Sequence, residues 1–184
     1  MIAKRCGGGD IRRVEGTTST EMEQNLDMLA GVDAWQVCSA RGVMRGIASR
    51  VQDLDYDTFT IRYKRDSGAE TEYAKRQRAI HDIDGGWLLP HLTVQAYYHH
   101  GYEKFRCCAA VRTKELYGYI EKWLPRFEEF GESDALNTMH TKETGPDGAL
   151  FIVVPFLWLM LAGVKVKVWP DGPDGYTPRD PTGR

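Results

Sequence analysis

Residues 149–164 form sixteen consecutive positions with no charged or polar side chain. Such a run must leave water, and what hides it decides the architecture. As one helix it would span about 24 Å at 1.5 Å per residue, short of the roughly 30 Å of a bilayer's hydrocarbon core. Pro155 and Gly163 also divide it. Residues 150–154 have the β-branched density of a buried strand, and Pro155 suits the first position of a following helix. Residues 156–162 make two short apolar turns, Gly163 fits a left-handed C-cap, and residues 164–169 alternate at period two. The expectation is strand, short helix, strand inside the fold. The alternative is a membrane anchor with Lys165 and Lys167 on the cytoplasmic side.

The chain of 184 residues suits one domain, which at this size buries roughly 70% of its unfolded surface. A net charge of −2 argues against wholesale coating of nucleic acid and against adhesion to an anionic membrane. The balance is uneven along the chain: nine Lys/Arg face six Asp/Glu over residues 41–78, and two face six over 125–148. Cys6, Cys38, Cys107 and Cys108 form no C-x-x-C spacing, and the adjacent pair on a strand would point to opposite faces. No apolar run follows Lys4 and Arg5, so a cytoplasmic location is expected.

Residues 1–17 and 170–184 read as disordered ends around a single domain over 18–169. Thr18 with Glu21 suggests a helix ending at Gly31, striped by Met22, Leu26 and Leu29. Strands are expected over 35–37 and 43–51, around a turn at Arg41-Gly42. Asp55-Tyr56-Asp57 reads as a turn, and Phe59, Ile61 and Tyr63 mark a half-buried strand. Ser67 with Glu70 predicts a helix over 67–81, placing Arg76 on the apolar stripe of Ala69, Tyr73 and Ile80. A strand over 92–98, a hairpin turn around Gly101 and a strand over 106–112 follow. Thr113 then caps an amphipathic helix carrying Leu116, Tyr119, Ile120, Trp123 and Leu124, stopped by Pro125. Residues 127–147 are acidic, with a strand near 136–140. The fold class is α+β, or mixed α/β, with a single sheet of about five to seven strands covered by three to four helices.

The order from Glu72 through Gln95 and Val111-Arg112 to the amphipathic helix is similar to the helix–strand–strand–helix core of the PD-(D/E)XK nuclease superfamily. The resemblance covers residues 67–124. It implies Mg²⁺ held by a strand Asp and an acid-x-Lys on the next strand, activating water against a phosphodiester. Here Gln95 replaces the acid and Ala110-Val111-Arg112 replaces the acid-x-Lys, so only Glu72 carries over; its ordinary partner would be Arg76. Asp53, Asp55 and Asp57 alternate, and on a strand would share a face able to hold a cation; as a turn they are simply solvated. His81, His91, His99, His100 and His140 lack helical ligand spacing. Cys38 and Cys107 read as small buried residues rather than nucleophiles.

The basic and aromatic residues carry more. Arg62 and Lys64 face outward on their strand, Lys75 and Arg78 line the exposed side of the next helix, and Arg41, Arg45 and Arg50 can join them. Tyr97, Tyr98 and Tyr102 offer rings for stacking bases. The sequence therefore ranks first a binding protein, with nucleic acid as ligand through Arg62, Lys64, Lys75, Arg78 and Arg112. Charge reversal at Lys64 and Lys75 is expected to weaken binding. Second comes a protein-interaction module or homodimer, meeting its partner through residues 156–161 or the acidic stretch 127–132. Third comes a nuclease-like enzyme of PD-(D/E)XK type with a degraded motif, using Glu72 and one of the three aspartates. No catalytic residue, cofactor, metal or membrane partner is called for.

Overall fold

A computed structural model of the chain describes residues 9–13, 31–53, 56–99, 104–130, 140–144 and 148–170. Along them run β1 (Asp10–Arg13), β2 (Ala34–Cys38), β3 (Val43–Gln52), β4 (Thr58–Lys64), α1 (Glu72–His81), β5 (Leu92–His99) and β6 (Lys104–Arg112). Then come α2 (Thr113–Phe130), β7 (His140–Thr144), β8 (Ala149–Pro155), α3 (Phe156–Leu161) and β9 (Lys167–Pro170). The architecture is mixed α+β. The expected single sheet is two: a six-stranded sheet in the order β1-β2-β3-β5-β6-β9 and a three-stranded sheet in the order β4-β8-β7.

The apolar run folds as its punctuation required, into β8 and α3, with Gly163 left-handed at φ +82°, and the strand expected over 164–169 is β9, beginning at Lys167. Among the described residues no helix is long and apolar enough to cross a membrane. Instead β8 pairs antiparallel with β4, bringing Phe59 and Ile61 beside Val154 and Ile152. Those four join Tyr97, Cys107, Ala109 and Val111 of the large sheet and Leu116, Tyr117, Ile120 and Leu124 of α2 in the main core. β4 leaves the large sheet because β3 continues in parallel to β5, and the crossover through β4 and α1 covers one face.

Pro155 sits where a proline costs little. The Phe156 amide donates to the Asp57 carbonyl at 2.9 Å, which makes Thr58–Pro155 a non-hydrogen-bonded pair. The position of the missing N–H therefore points away from β4, on the side where pairing with β7 has already ended at Val153. Thr58's own N–H and C=O point off the edge of β4. The Tyr97 hydroxyl meets them there, donating to the carbonyl at 2.7 Å and accepting from the amide at 3.2 Å. One side chain of the large sheet thus replaces a neighbouring strand.

Two sequence-based boundaries change. α1 begins at Glu72, four residues after Gly68 at φ +68°, with Thr71 as the N-cap accepting from the Ala74 amide. Ser67 instead accepts from Ala69 in the preceding turn. Pro125 lies inside α2 rather than ending it, at an exposed position, so the unpaired carbonyl one turn back meets water. The expected strand over 92–98 is β5, in which Thr93, Val94, Gln95, Ala96 and Tyr97 are all buried, as suits a central strand covered on both faces. β7 starts at His140, the last residue of the strand expected near 136–140, and residues 131–139 lie outside the described set. So do residues 1–8 and 14–17 of the expected lead, most of the helix read over 18–31, Gly101 and residues 171–184, whereas residues 10–13 of that lead are not a loose end but form β1, paired with β2.

Candidate nucleic-acid interface

Strand register assigns each side chain of the large sheet to a face. On the face turned away from the smaller sheet, residues align in three rows across the strands. The first is Ala34, Ile47, Leu92, Arg112; the second is Ser49, Val94, Ala110, Lys167; the third is Val51, Ala96, Cys108, Trp169. Ile47, Val94 and Ala110 are a second apolar cluster, with Leu92, Cys108 and Trp169 packed on it. Arg45, two residues before Ile47, shares this face. The cluster is therefore bounded at one end of the sheet by cations from three strands.

At that end lies a cavity of about 840 Å³. Arg45, Arg112, Lys114, Lys165 and Lys167 line it, and Glu115 is its single carboxylate. Pro90, Leu92 and Ala110 give it apolar walls. Arg112 meets Glu115 at 3.4 Å, and the other four cations make no ion pair among the described residues. Lys114 and Glu115 stand in the first turn of the 18-residue α2, so the positive end of that helix opens on the same space. Its Thr113 hydroxyl is hydrogen-bonded to Thr93 at 3.0 Å, and the Thr113 amide donates to the His91 carbonyl at 3.1 Å. These two bonds fix the helix start against β5.

The wall carrying His91 is held equally firmly. The Gly46 amide donates to His91 Nδ1 at 3.2 Å, and the His91 amide donates to the Gly46 carbonyl at 2.8 Å. An accepting Nδ1 places the proton of the neutral ring on Nε2. A Cβ at position 46 would come within 3.2 Å of Val32 and 3.4 Å of Pro90, so glycine permits this close approach.

Of the residues singled out from sequence, Arg112 and Arg45 line the cavity and Arg62, Lys64, Lys75, Arg78, Arg41 and Arg50 do not. Arg62 and Arg50 each lie 5.3 Å from the centre of the Phe151 ring, and Arg50 pairs with Glu72 at 2.9 Å. Lys64 sits over the Tyr63 ring, Lys75 is half-buried on α1, and Arg41 is exposed in the turn after β2. Arg78 lies 3.9 Å over the Trp87 ring and pairs with Glu70 at 2.7 Å. Arg50, Arg62, Lys64 and Arg78 are thus engaged on aromatic rings or carboxylates. Lys114, Lys165 and Lys167 were not singled out as ligand contacts; the alternation around Lys165 and Lys167 was visible, but not that β9 returns beside β6.

The remaining candidates resolve geometrically. Tyr97 is buried and is no stacking platform; Tyr98 packs edge-on against Phe105, and Tyr102 and His100 lie outside the described residues. Gln95 and Arg112 point to opposite faces, since Arg112 shares a row with Leu92, so the two strand positions of the nuclease resemblance do not meet. Gln95 instead donates to Gln52 at 3.0 Å within the fold. Glu72 has Arg50 as a partner, and the buried Arg76 reaches the Gly31 carbonyl at 2.7 Å. Asp53 is exposed while Asp57, left-handed at φ +50°, is buried and accepts from Cys107, so these two diverge; Asp55 lies outside the described residues. Burial, then the neighbouring Asp57 charge, pushes the Cys107 thiol from 9.0 up to about 12, which holds it protonated. Among the described residues no three His, Cys, Asp or Glu side chains gather as metal ligands.

Comparisons with known protein families, with curated proteins and with solved structures each return no match.

Proposed function

We propose that this protein binds nucleic acid, and that the basic groove between β3, β6, β9 and the start of α2 takes the phosphate backbone. One observation carries this: five cationic side chains from separate stretches of a chain with net charge −2 line a single concavity beside one carboxylate. Like charges repel, so cations that merely solubilise a surface are better dispersed. A polyanion reverses that cost, because each phosphate neutralised releases condensed counterions. The apolar walls add contact without sequence readout.

The test is fluorescence anisotropy of a labelled oligonucleotide across a salt series. With about four phosphates neutralised, affinity is expected to fall roughly 50-fold between about 50 and 200 mM salt. The double variant K165E/K167E should weaken binding at least tenfold and flatten the salt slope by about 1 to 2. The double variant K64E/K75E tests the surface formed by Arg62, Lys64, Lys75 and Arg78, and is expected to stay within about twofold of the parent. The reverse pattern would move the site to that surface, and salt-independent or absent binding would remove the function.

A further inference from the structure

Resting on that reading, we infer that the groove selects single-stranded over double-stranded nucleic acid, with the loop between α1 and β5 supplying an apolar platform for unpaired bases. Two independent features point this way. The first is shape. Proteins that read a duplex present a protruding helix or two-stranded ribbon to a groove about 12 Å wide. Here the cations line a hollow, and its volume of about 840 Å³ is that of a pocket rather than a saddle. A flexible strand can enter such a hollow one or two units at a time; a stiff duplex rests across its mouth.

The second feature is the chain leading into the groove. Leu89, Pro90 and His91 form one wall, and directly before them stand Trp87 and Leu88, 40% and 48% exposed, with Ile83 at 85%. Three large apolar side chains displayed within six residues form an exposed apolar stretch leading to the groove wall. The Trp87 ring is held in place: its Nε1 donates to Asp82 at 2.7 Å and the Arg78 guanidinium lies 3.9 Å over it. A fixed indole beside a guanidinium, two residues before the groove wall begins at Leu89, matches the stacking-plus-charge chemistry by which single strands are held. Unpaired bases expose the π-faces such a platform needs, and a duplex conceals them.

The experiment compares oligo-dT and oligo-U of about 15 nucleotides with a duplex of the same length, by anisotropy on the full chain. Single strands are expected to bind at least tenfold more tightly than the duplex, the two sugars being the arms that separate DNA from RNA. Trp87→Ala should weaken single-strand binding about fivefold or more and leave duplex binding unchanged; Trp87→Phe, which keeps a ring, should stay within about twofold. Leu88→Ala, exposed and outside both core clusters, gives a smaller loss and guards against a local folding defect in Trp87→Ala. Equal affinity for both forms, lost together in K165E/K167E, overturns the strand preference while leaving the groove reading intact. Capture by vesicles containing phosphatidylserine, with no oligonucleotide bound, overturns both.

Discussion

Two buried tyrosines should respond oppositely to the same substitution. Tyr97 and Tyr117 are each almost wholly enclosed, at 1% and 0% exposure. The Tyr97 hydroxyl serves three atoms of Thr58: the carbonyl at 2.7 Å, the hydroxyl at 3.0 Å and the amide at 3.2 Å. Thr58 is itself buried, and its backbone groups point off the edge of β4 with no strand beside them among the described residues. Tyr97→Phe therefore strands a buried N–H and a buried C=O, each costing about 1–3 kcal/mol when left unmade. Allowing for partial relaxation, the loss is about 2–4 kcal/mol. Tyr117 stacks on Tyr73 at 6.0 Å, but its buried hydroxyl has no hydrogen-bond partner among the described residues. An unbonded buried hydroxyl costs about 1–3 kcal/mol, so Tyr117→Phe is expected to be neutral or to stabilise by about 1–2 kcal/mol. Urea unfolding followed by circular dichroism reads both, with the denaturant slope unchanged if the compactness of both states is preserved. At roughly 2–4 °C per kcal/mol for a domain of this size, Tm should fall roughly 4–16 °C for Tyr97→Phe and hold or rise for Tyr117→Phe. A Tyr97→Phe protein within about 0.5 kcal/mol of the parent would refute the account of the β4 edge, since water or a shifted backbone would then satisfy Thr58 as well as the hydroxyl does.

Alkaline pH tests the same core from the side of protons. Burial pushes Tyr97 and Tyr119 from 10.0 up to about 12 and Cys107 from 9.0 to about 12, and it raises Tyr117 well above its ordinary 10.0. The unfolded chain releases these protons first, so their stabilising contribution is whole below pH 9 and is lost as pH rises toward 12. The urea midpoint should fall steadily across that window, and a flat profile would contradict the burial of these groups. Gly46→Ala should lower stability by about 1–3 kcal/mol, because its methyl crowds Val32 and Pro90, and a melting curve superimposable on the parent would show that the close approach is not tight.

Local patterns in this sequence were legible wherever one residue type forces a backbone choice. Pro155 and Gly163 divided the apolar run correctly, and the alternation of Phe59 with Ile61 marked β4 as a strand with one buried side. What could not be read was the neighbour of each strand. Nothing in the sequence of β4 distinguishes a seventh strand of one sheet from the first strand of another; the choice is made by β8, some ninety residues later. The helix start failed for a related reason: Ser67 and Thr71 are both good caps, and the contact of Thr71 with the Tyr63 carbonyl at 3.0 Å decides between them. Pro125 failed differently. Its exposure lets water serve the carbonyl it leaves unpaired, and exposure is a tertiary property.

The groove was hidden for the same reason that the second sheet was. Arg45, Arg112 and Lys167 are far apart in sequence and individually ordinary, and only the antiparallel return of β9 along β6 sets Lys167 opposite Ala110, one row from Arg112. By contrast the clustered basic residues over 41–78, conspicuous in sequence, include several that are drawn into packing on Phe151, Trp87 and Tyr63 once folded. A cation with a long aliphatic stem beside an aromatic ring gains contact by lying on it. Density of charge along a chain is therefore a poor guide to where cations gather once it is folded. What counts is which cations the strand register brings together, and here that is the set beside the start of α2, of which Arg112 alone is ion-paired among the described residues.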